Sequence, residues 1–204
     1  MSTERTHPYL FWGLVCAIAV SGLVIAAILF LPIVYRHWVF NVVANNGTVE
    51  DVKYYIERGV SVNEKDHNGR PLIHYAVRYN PNIDVLKYLV KQGADVNAKE
   101  DNAGWTSLHY AAASHVSNPE VFKYLIDNGA DVNAKEDNGR TPLHLVAVDL
   151  TSNIENLKYL VEHGADVNVM DSIGKTPLDY VIVDKEKQTF LREAGAKRGE
   201  ELPK

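Results

Sequence analysis

Three histidines, His74, His109 and His144, recur at intervals of 35 residues, and imidazoles at a fixed interval first suggest a metal site. The geometry argues otherwise. A metal–nitrogen bond is about 2 Å long, whereas packed helices stand about 8–10 Å apart. Histidines at one position of successive structural units cannot share an ion, so no metal ligation is expected. Carboxylates gather in the same part of the chain at Asp66, Asp101, Glu136, Asp137 and Asp171. Neither calcium-loop spacing nor a paired acid–base arrangement emerges. Aspartate is a usual turn residue because its side chain bonds to nearby backbone, so a turn role is expected. The one cysteine, Cys16, lies in an apolar run. That leaves no intrachain disulfide and no thiolate zinc site. Gly-x-Ser-x-Gly, His-Glu-x-x-His, a phosphate-binding glycine loop and Gly-x-Gly-x-x-Gly are all missing. The expectation is no enzyme, no cofactor and no small-molecule substrate.

The elements that carry these residues repeat. One phrase occurs four times, as Gly59-Val-Ser-Val-Asn63, Gly93-Ala-Asp-Val-Asn97, Gly129-Ala-Asp-Val-Asn133 and Gly164-Ala-Asp-Val-Asn168, with asparagines 34, 36 and 35 residues apart. A second phrase keeps phase with it: Gly69-Arg-Pro-Leu-Ile-His74, Gly104-Trp-Thr-Ser-Leu-His109, Gly139-Arg-Thr-Pro-Leu-His144 and a degraded Gly174-Lys-Thr-Pro-Leu-Asp179. A near-constant period of this length indicates a stacked array of helical units. Thr141 and Thr176 are expected N-caps, with Pro142 and Pro177 at the first helical position. Val85, Leu86, Leu89 and Val90 form one apolar stripe on the second helix. Gly59, Gly93, Gly129 and Gly164 are expected to end the second helices in a left-handed conformation. The chain carries 26 acidic and 21 basic residues, a net charge of −5. That balance argues against a nucleic-acid binder held by phosphate contacts.

In-phase Gly-x-Thr-Pro-Leu-His-x-Ala and Gly-Ala-Asp-Val-Asn resemble the ankyrin repeat family over about residues 40–197. The resemblance implies an all-α repeat solenoid with short β-hairpin tips, each unit being a tip and two antiparallel helices. It implies that the histidine is hydrogen-bonded within the structure. It also implies that partners are gripped by the tips and the exposed side of the first helices. On this reading residues 36–66 are a junction and opening half-repeat, 67–100, 101–136 and 137–170 are full repeats, 171–197 is a capping repeat and 198–204 a tail. The charged run Asp184-Lys-Glu-Lys187 is expected on the polar outer face of the cap. The chain departs from the family pattern at Pro71, where the N-cap is in doubt. It departs again at the tip before Gly104, which is one residue longer, and at extra residues between the two helices of each full repeat. The compact repeats and short tail resemble bacterial members of the family more than eukaryotic ones.

Ahead of the repeats, after a short tail at 1–8, residues 9–35 contain no charged side chain. About 20 apolar residues suffice for one transmembrane helix. Tyr9, Phe11 and Trp12 flank one end and Tyr35 and Trp38 the other, as interfacial aromatics do. A cleaved signal peptide fits less well, because the Ala17-Ile-Ala19 triplet lies in the middle of the run. An uncleaved single-pass membrane anchor is expected. Basic residues near the two ends are nearly balanced (Arg5 against Arg36), so the sequence does not choose between a cytoplasmic and an extracytoplasmic repeat domain. Gly13, Ala17 and Ser21 recur every fourth residue, the spacing that lets membrane helices pack closely.

The residue after each tip glycine forms a column, Arg70, Trp105, Arg140 and Lys175, of residue types enriched at interfaces. With Tyr79 on the first helix, this column is the candidate partner-binding site, and Trp105 is expected to project from the longer tip. The function expected is a membrane-tethered adaptor, scaffold or inhibitor that binds a protein partner. Alternatives are a regulatory or assembly subunit joined to a membrane complex through its transmembrane helix, and an exported effector or immunity component.

Overall fold

The computed structural model describes residues 38–113, 119–149 and 154–203. The expected membrane span, with Gly13, Ala17 and Ser21, lies outside them. Among the described residues no helix is long and apolar enough to cross a membrane. The described chain runs helix after helix: α1 (38–44), α2 (Val49–Ile56), α3 (Leu72–Tyr79), α4 (Ile83–Lys91), α5 (Ser107–Ala112), α6 (Pro119–Asp127), α7 (Pro142–Val148), α8 (Ile154–Glu162), α9 (Pro177–Tyr180) and α10 (Lys185–Glu193). A 3-10 turn follows at Gly199–Glu201.

Local chemistry starts and stops these helices. Thr48 opens α2 with a reciprocal cap: its N–H donates to Asp51 at 2.9 Å, and the Asp51 N–H donates back to its hydroxyl at 3.3 Å. Thr106, Thr141 and Thr176 precede α5, α7 and α9, and Pro142 and Pro177 stand at the first turn as expected. Gly59, Gly93, Gly129 and Gly164 end the second helices at φ of +86° to +90°, a region a side chain would strain.

The helices pack in two rows, α3–α5–α7–α9 and α2–α4–α6–α8–α10. Between the rows lies a continuous core that includes Leu72, Leu86, Leu108, Phe122, Leu125, Leu143, Leu157, Leu160 and Leu178, all fully buried. Each such side chain contributes about 1.5–3 kcal/mol. Because a unit touches only its neighbours, this stabilisation is spread along the array.

The asparagine of each repeated phrase staples one unit to the next. Asn63, Asn97, Asn133 and Asn168 donate from Nδ2 to the carbonyls of Gly93, Gly129, Gly164 and Gly195 at 2.9–3.1 Å. Their Oδ1 atoms accept N–H groups of Asp95, Asp131, Asp166 and Lys197 at 2.8–2.9 Å. Gly195 (φ +86°) and Ala196 thus act as a fifth, degraded copy of the phrase, which the sequence pattern alone does not reveal.

Two expectations are corrected. The tips are turns, not β-hairpins: among the described residues there is one isolated bridge, Lys65 with Pro71, and no strand. The tips close with one or two backbone bonds: Asp66 N–H to Arg70 O at 3.0 Å with Gly69 N–H back to Asp66 O at 3.1 Å, and Glu136 N–H to Arg140 O at 3.0 Å with Gly139 N–H back to Glu136 O at 2.8 Å. They then bond sideways, Asp137 N–H to Ala103 O at 3.0 Å and Ser172 N–H to Asn138 O at 2.8 Å. With only five or six residues before the chain enters a helix, there is no length for a ladder. Second, Lys187 is not on the polar face of the cap. It is 1 % exposed, and its ammonium donates to the carbonyls of Val146 (3.1 Å) and Asp149 near the end of α7. A cation there satisfies carbonyls that the helix terminus leaves open.

Pro71 occupies the place held by threonine in the later units, and it offers neither N–H nor hydroxyl. In those units the threonine N–H donates to the histidine Nδ1, at 3.2 Å for Thr106–His109 and 3.0 Å for Thr141–His144. The Nδ1 of His74 is buried with no partner. Pro71→Thr is expected to stabilise the array by about 1 kcal/mol. The cap and the satisfied nitrogen contribute about 1–2 kcal/mol, and losing the proline's restriction of the unfolded chain costs about 0.4–1 kcal/mol. A urea midpoint that does not rise would refute this.

Candidate functional site

The tips and the first helices share a repeated polar device. In the first and last tips a carboxylate at the base binds its own turn and a tyrosine on the following helix. Asp66 accepts the N–H groups of Asn68 (2.8 Å) and Arg70 (2.9 Å) and the Tyr75 hydroxyl (2.6 Å). Asp171 does the same with Ile173 (3.0 Å), Lys175 (2.9 Å) and Tyr180 (2.5 Å). Burial alone would raise the pKa of Asp66 and Asp171, but the tyrosine hydroxyl and the turn N–H groups outweigh it and hold both below the ordinary value. Burial and the facing carboxylate push Tyr75 and Tyr180 up to about 12.

The middle units vary this device. Glu100 accepts the Tyr110 hydroxyl at 2.6 Å and, from the preceding tip, Arg70 Nε at 2.6 Å. That bond raises the Arg70 pKa. In the next unit Leu145 stands where the tyrosine would be, and Arg140 Nε serves the buried Glu136 carboxylate at 3.0 Å. Burial raises the Glu136 pKa, but Arg140 and Asn138 bring it below normal.

Acids are sparse on the first-helix row among the described residues, where Asp149 follows α7 and Asp184 opens α10. Helices α3, α5 and α7 contain no Asp or Glu. In α9 the Asp179 carboxylate is taken by the N–H groups of Thr176 (2.9 Å) and Gly199 (2.8 Å). At or just past the ends of these helices, large apolar side chains face solvent: Tyr79 (47 % exposed), Val148 (47 %), Ile182 (79 %) and Val183 (66 %). No group of His, Cys, Asp and Glu able to hold a metal ion occurs among the described residues.

The family profile for ankyrin repeats, three copies long, matches residues 40–136 and again 112–196. The chain belongs to the ankyrin repeat family. No curated protein matches it. Ankyrin repeats generally mediate protein–protein interaction and are typically not enzymes.

Within this ankyrin array the three histidines are structural. Nδ1 of His109 and of His144 receives a backbone N–H, so the ring proton sits on Nε2. It is donated to the next unit, to Arg140 O and Lys175 O, each at 3.2 Å. His74 Nε2 meets Ala98 O at 3.0 Å.

The expected column fares unevenly. Arg70 and Arg140 sit at the ankyrin tips but are drawn inward to Glu100 and Glu136. Trp105 does not project. It is half-buried, edge-on to the Tyr110 ring at 5.2 Å and 6.2 Å from the His109 ring. The extra tip residue lets the indole fold back, where ring contact and apolar burial favour it. Lys175 is exposed, with its ammonium 5.5 Å from the Tyr180 ring centroid. Tyr79 is exposed, 5.9 Å from the Tyr75 ring. Sequence reasoning missed Glu100 and the tyrosine–carboxylate bonds. Their signal was present as an acid nine or ten residues ahead of Tyr75, Tyr110 and Tyr180.

Proposed function

We propose that this chain is a membrane-tethered protein-binding module, an adaptor, scaffold or inhibitor that holds its partner along the first-helix row. The observation that carries the binding part is the exposure of Tyr79, Val148, Ile182 and Val183 at or just past the ends of first helices, three of which contain no Asp or Glu. Exposed large apolar side chains recurring along one row support an interaction site. Residues 9–35, uncharged and flanked by aromatics, support the tether. With no flexible linker after Tyr35, the array would stand close to the bilayer and raise the local concentration of whatever it holds.

Two measurements test the reading. The chain is expected to stay with membranes through alkaline carbonate and to be released on deletion of residues 9–35; extraction of the intact chain would sink the tether. A photo-crosslinking side chain placed at Tyr79 is expected to join a protein in living cells, whereas the same group at Lys123 on the second-helix row joins none. Equal labelling from both positions would remove the case for this face. Protease treatment of intact cells and lysates reports which side of the membrane the array occupies.

A further inference from the structure

Charge is sorted across this molecule. Acids outnumber bases by 26 to 21 over the chain, yet helices α3, α5 and α7 hold no carboxylate and that of Asp179 in α9 is taken by backbone N–H groups. It does hold a guanidinium. Arg78 is exposed at the end of α3, with Cζ 5.2 Å from the Tyr79 ring centroid and 5.4 Å from that of Tyr110 in the next unit. Arg70 and Arg140 spend their charge on buried glutamates, but Arg78 has no carboxylate partner among the described residues. Two rings therefore hold a cation that no carboxylate pairs with among the described residues.

We infer that Arg78 anchors a carboxylate of a protein partner, on a segment that places Asp or Glu beside apolar side chains. This rests on the first-helix row being the docking face. A guanidinium presents a flat fork matched to a carboxylate. Held between tyrosines, it loses little side-chain entropy on pairing. The neighbours set the rest of the chemistry: Tyr79 on one side, and Val148 and Val183 further along the row, accept apolar groups. A phosphorylated segment fits less well, because phosphate motifs are read by clusters of arginines and the other two arginines of this face are already engaged.

The test uses the full chain in detergent, immobilised at its C-terminus and challenged with a library of short random peptides. Selected peptides are expected to carry Asp or Glu next to aromatic or aliphatic residues. Their affinity should fall about tenfold on Arg78→Ala, as for an interface anchor. It should fall less on Arg78→Lys, and weaken as salt is raised. Changing the peptide's acid to its amide should cost as much in the wild type and nothing further in Arg78→Ala. Arg78 is exposed, so the variant's melting curve should match the wild type. Peptides that lack acids, or that ignore Arg78→Ala while weakening on Tyr79→Ala and Val148→Asp, would overturn the anchor and leave the docking face standing. Peptides insensitive to all three substitutions, or no selected peptides, would remove the docking face and the anchor with it.

Discussion

Phe122→Ala is expected to destabilise the array by about 3–5 kcal/mol and to split its unfolding into two transitions. Phe122 is among the largest fully buried side chains and lies on α6, the middle helix of its row. It packs where α6 meets α4, α5 and α8, so removing the ring opens a cavity at the junction of three units. In a compact globule such a loss lowers one cooperative transition. Here each unit contacts only its neighbours, so the cost falls on two interfaces and leaves the ends intact. The N-terminal units keep the core around Leu72, Leu86 and Leu89, and the C-terminal units keep Leu143, Leu157, Leu160 and Leu178. Urea unfolding followed by tryptophan emission reports Trp12, Trp38 and Trp105, all ahead of α6, whereas far-ultraviolet circular dichroism reports all helices. The two curves should separate in the variant and coincide in the wild type. Coincident curves in the variant would mean that cooperativity crosses the cavity and that the expectation is wrong.

Acidification is the second large effect. Burial holds His74 at about 4, against an ordinary value near 6.5. Burial likewise lowers His109 and His144. The geometry explains why: Nδ1 of His109 and His144 faces a backbone N–H, so a proton added there would meet another donor. A histidine whose folded pKa lies below its unfolded pKa is neutral in both states above about 6.5, and its stability contribution is then fully present. As pH falls from there toward about 4, the unfolded chain takes up the proton first and stability declines. For His74 alone the loss reaches roughly 3 kcal/mol. At lower pH the carboxylates of Asp66, Glu136, Asp171 and Asp179, all held below their ordinary values, add a further loss as they are protonated. Asp66 and Asp179 are partly open to solvent, so their share is the smaller, whereas Glu136 and Asp171 are buried. Urea stability measured between pH about 7 and about 4 should fall by up to about 1.4 kcal/mol per pH unit for each histidine involved. A flat profile in that window would refute the assignment.

Whatever depends on bonds between residues close in the chain is legible in the amino-acid sequence. The period gave the stack, the threonines and prolines gave the helix starts, and the glycines gave the helix ends, because caps and turns close within a few residues. The turn role of Asp66 and Asp171 was legible for the same reason. Pro71 stands out as a doubtful cap, and the unpartnered Nδ1 of His74 is the consequence.

The candidate site was only partly legible, because its side chains choose partners in other units. Arg70 reads as a free tip cation until the stack brings Glu100, 30 residues away, within 2.6 Å. Lys187 reads as a surface charge until α7 ends above it. Trp105 reads as a projecting anchor until the Tyr110 ring lies beneath it. By itself, then, the sequence determined the repeat, the helix boundaries and the uncharged segment at residues 9–35, all properties of local spacing. The tertiary structure alone decided which charges are spent and that Arg78, beside rings from two units, meets no carboxylate among the described residues, since the height and rotation of one unit on the next set where a long side chain ends.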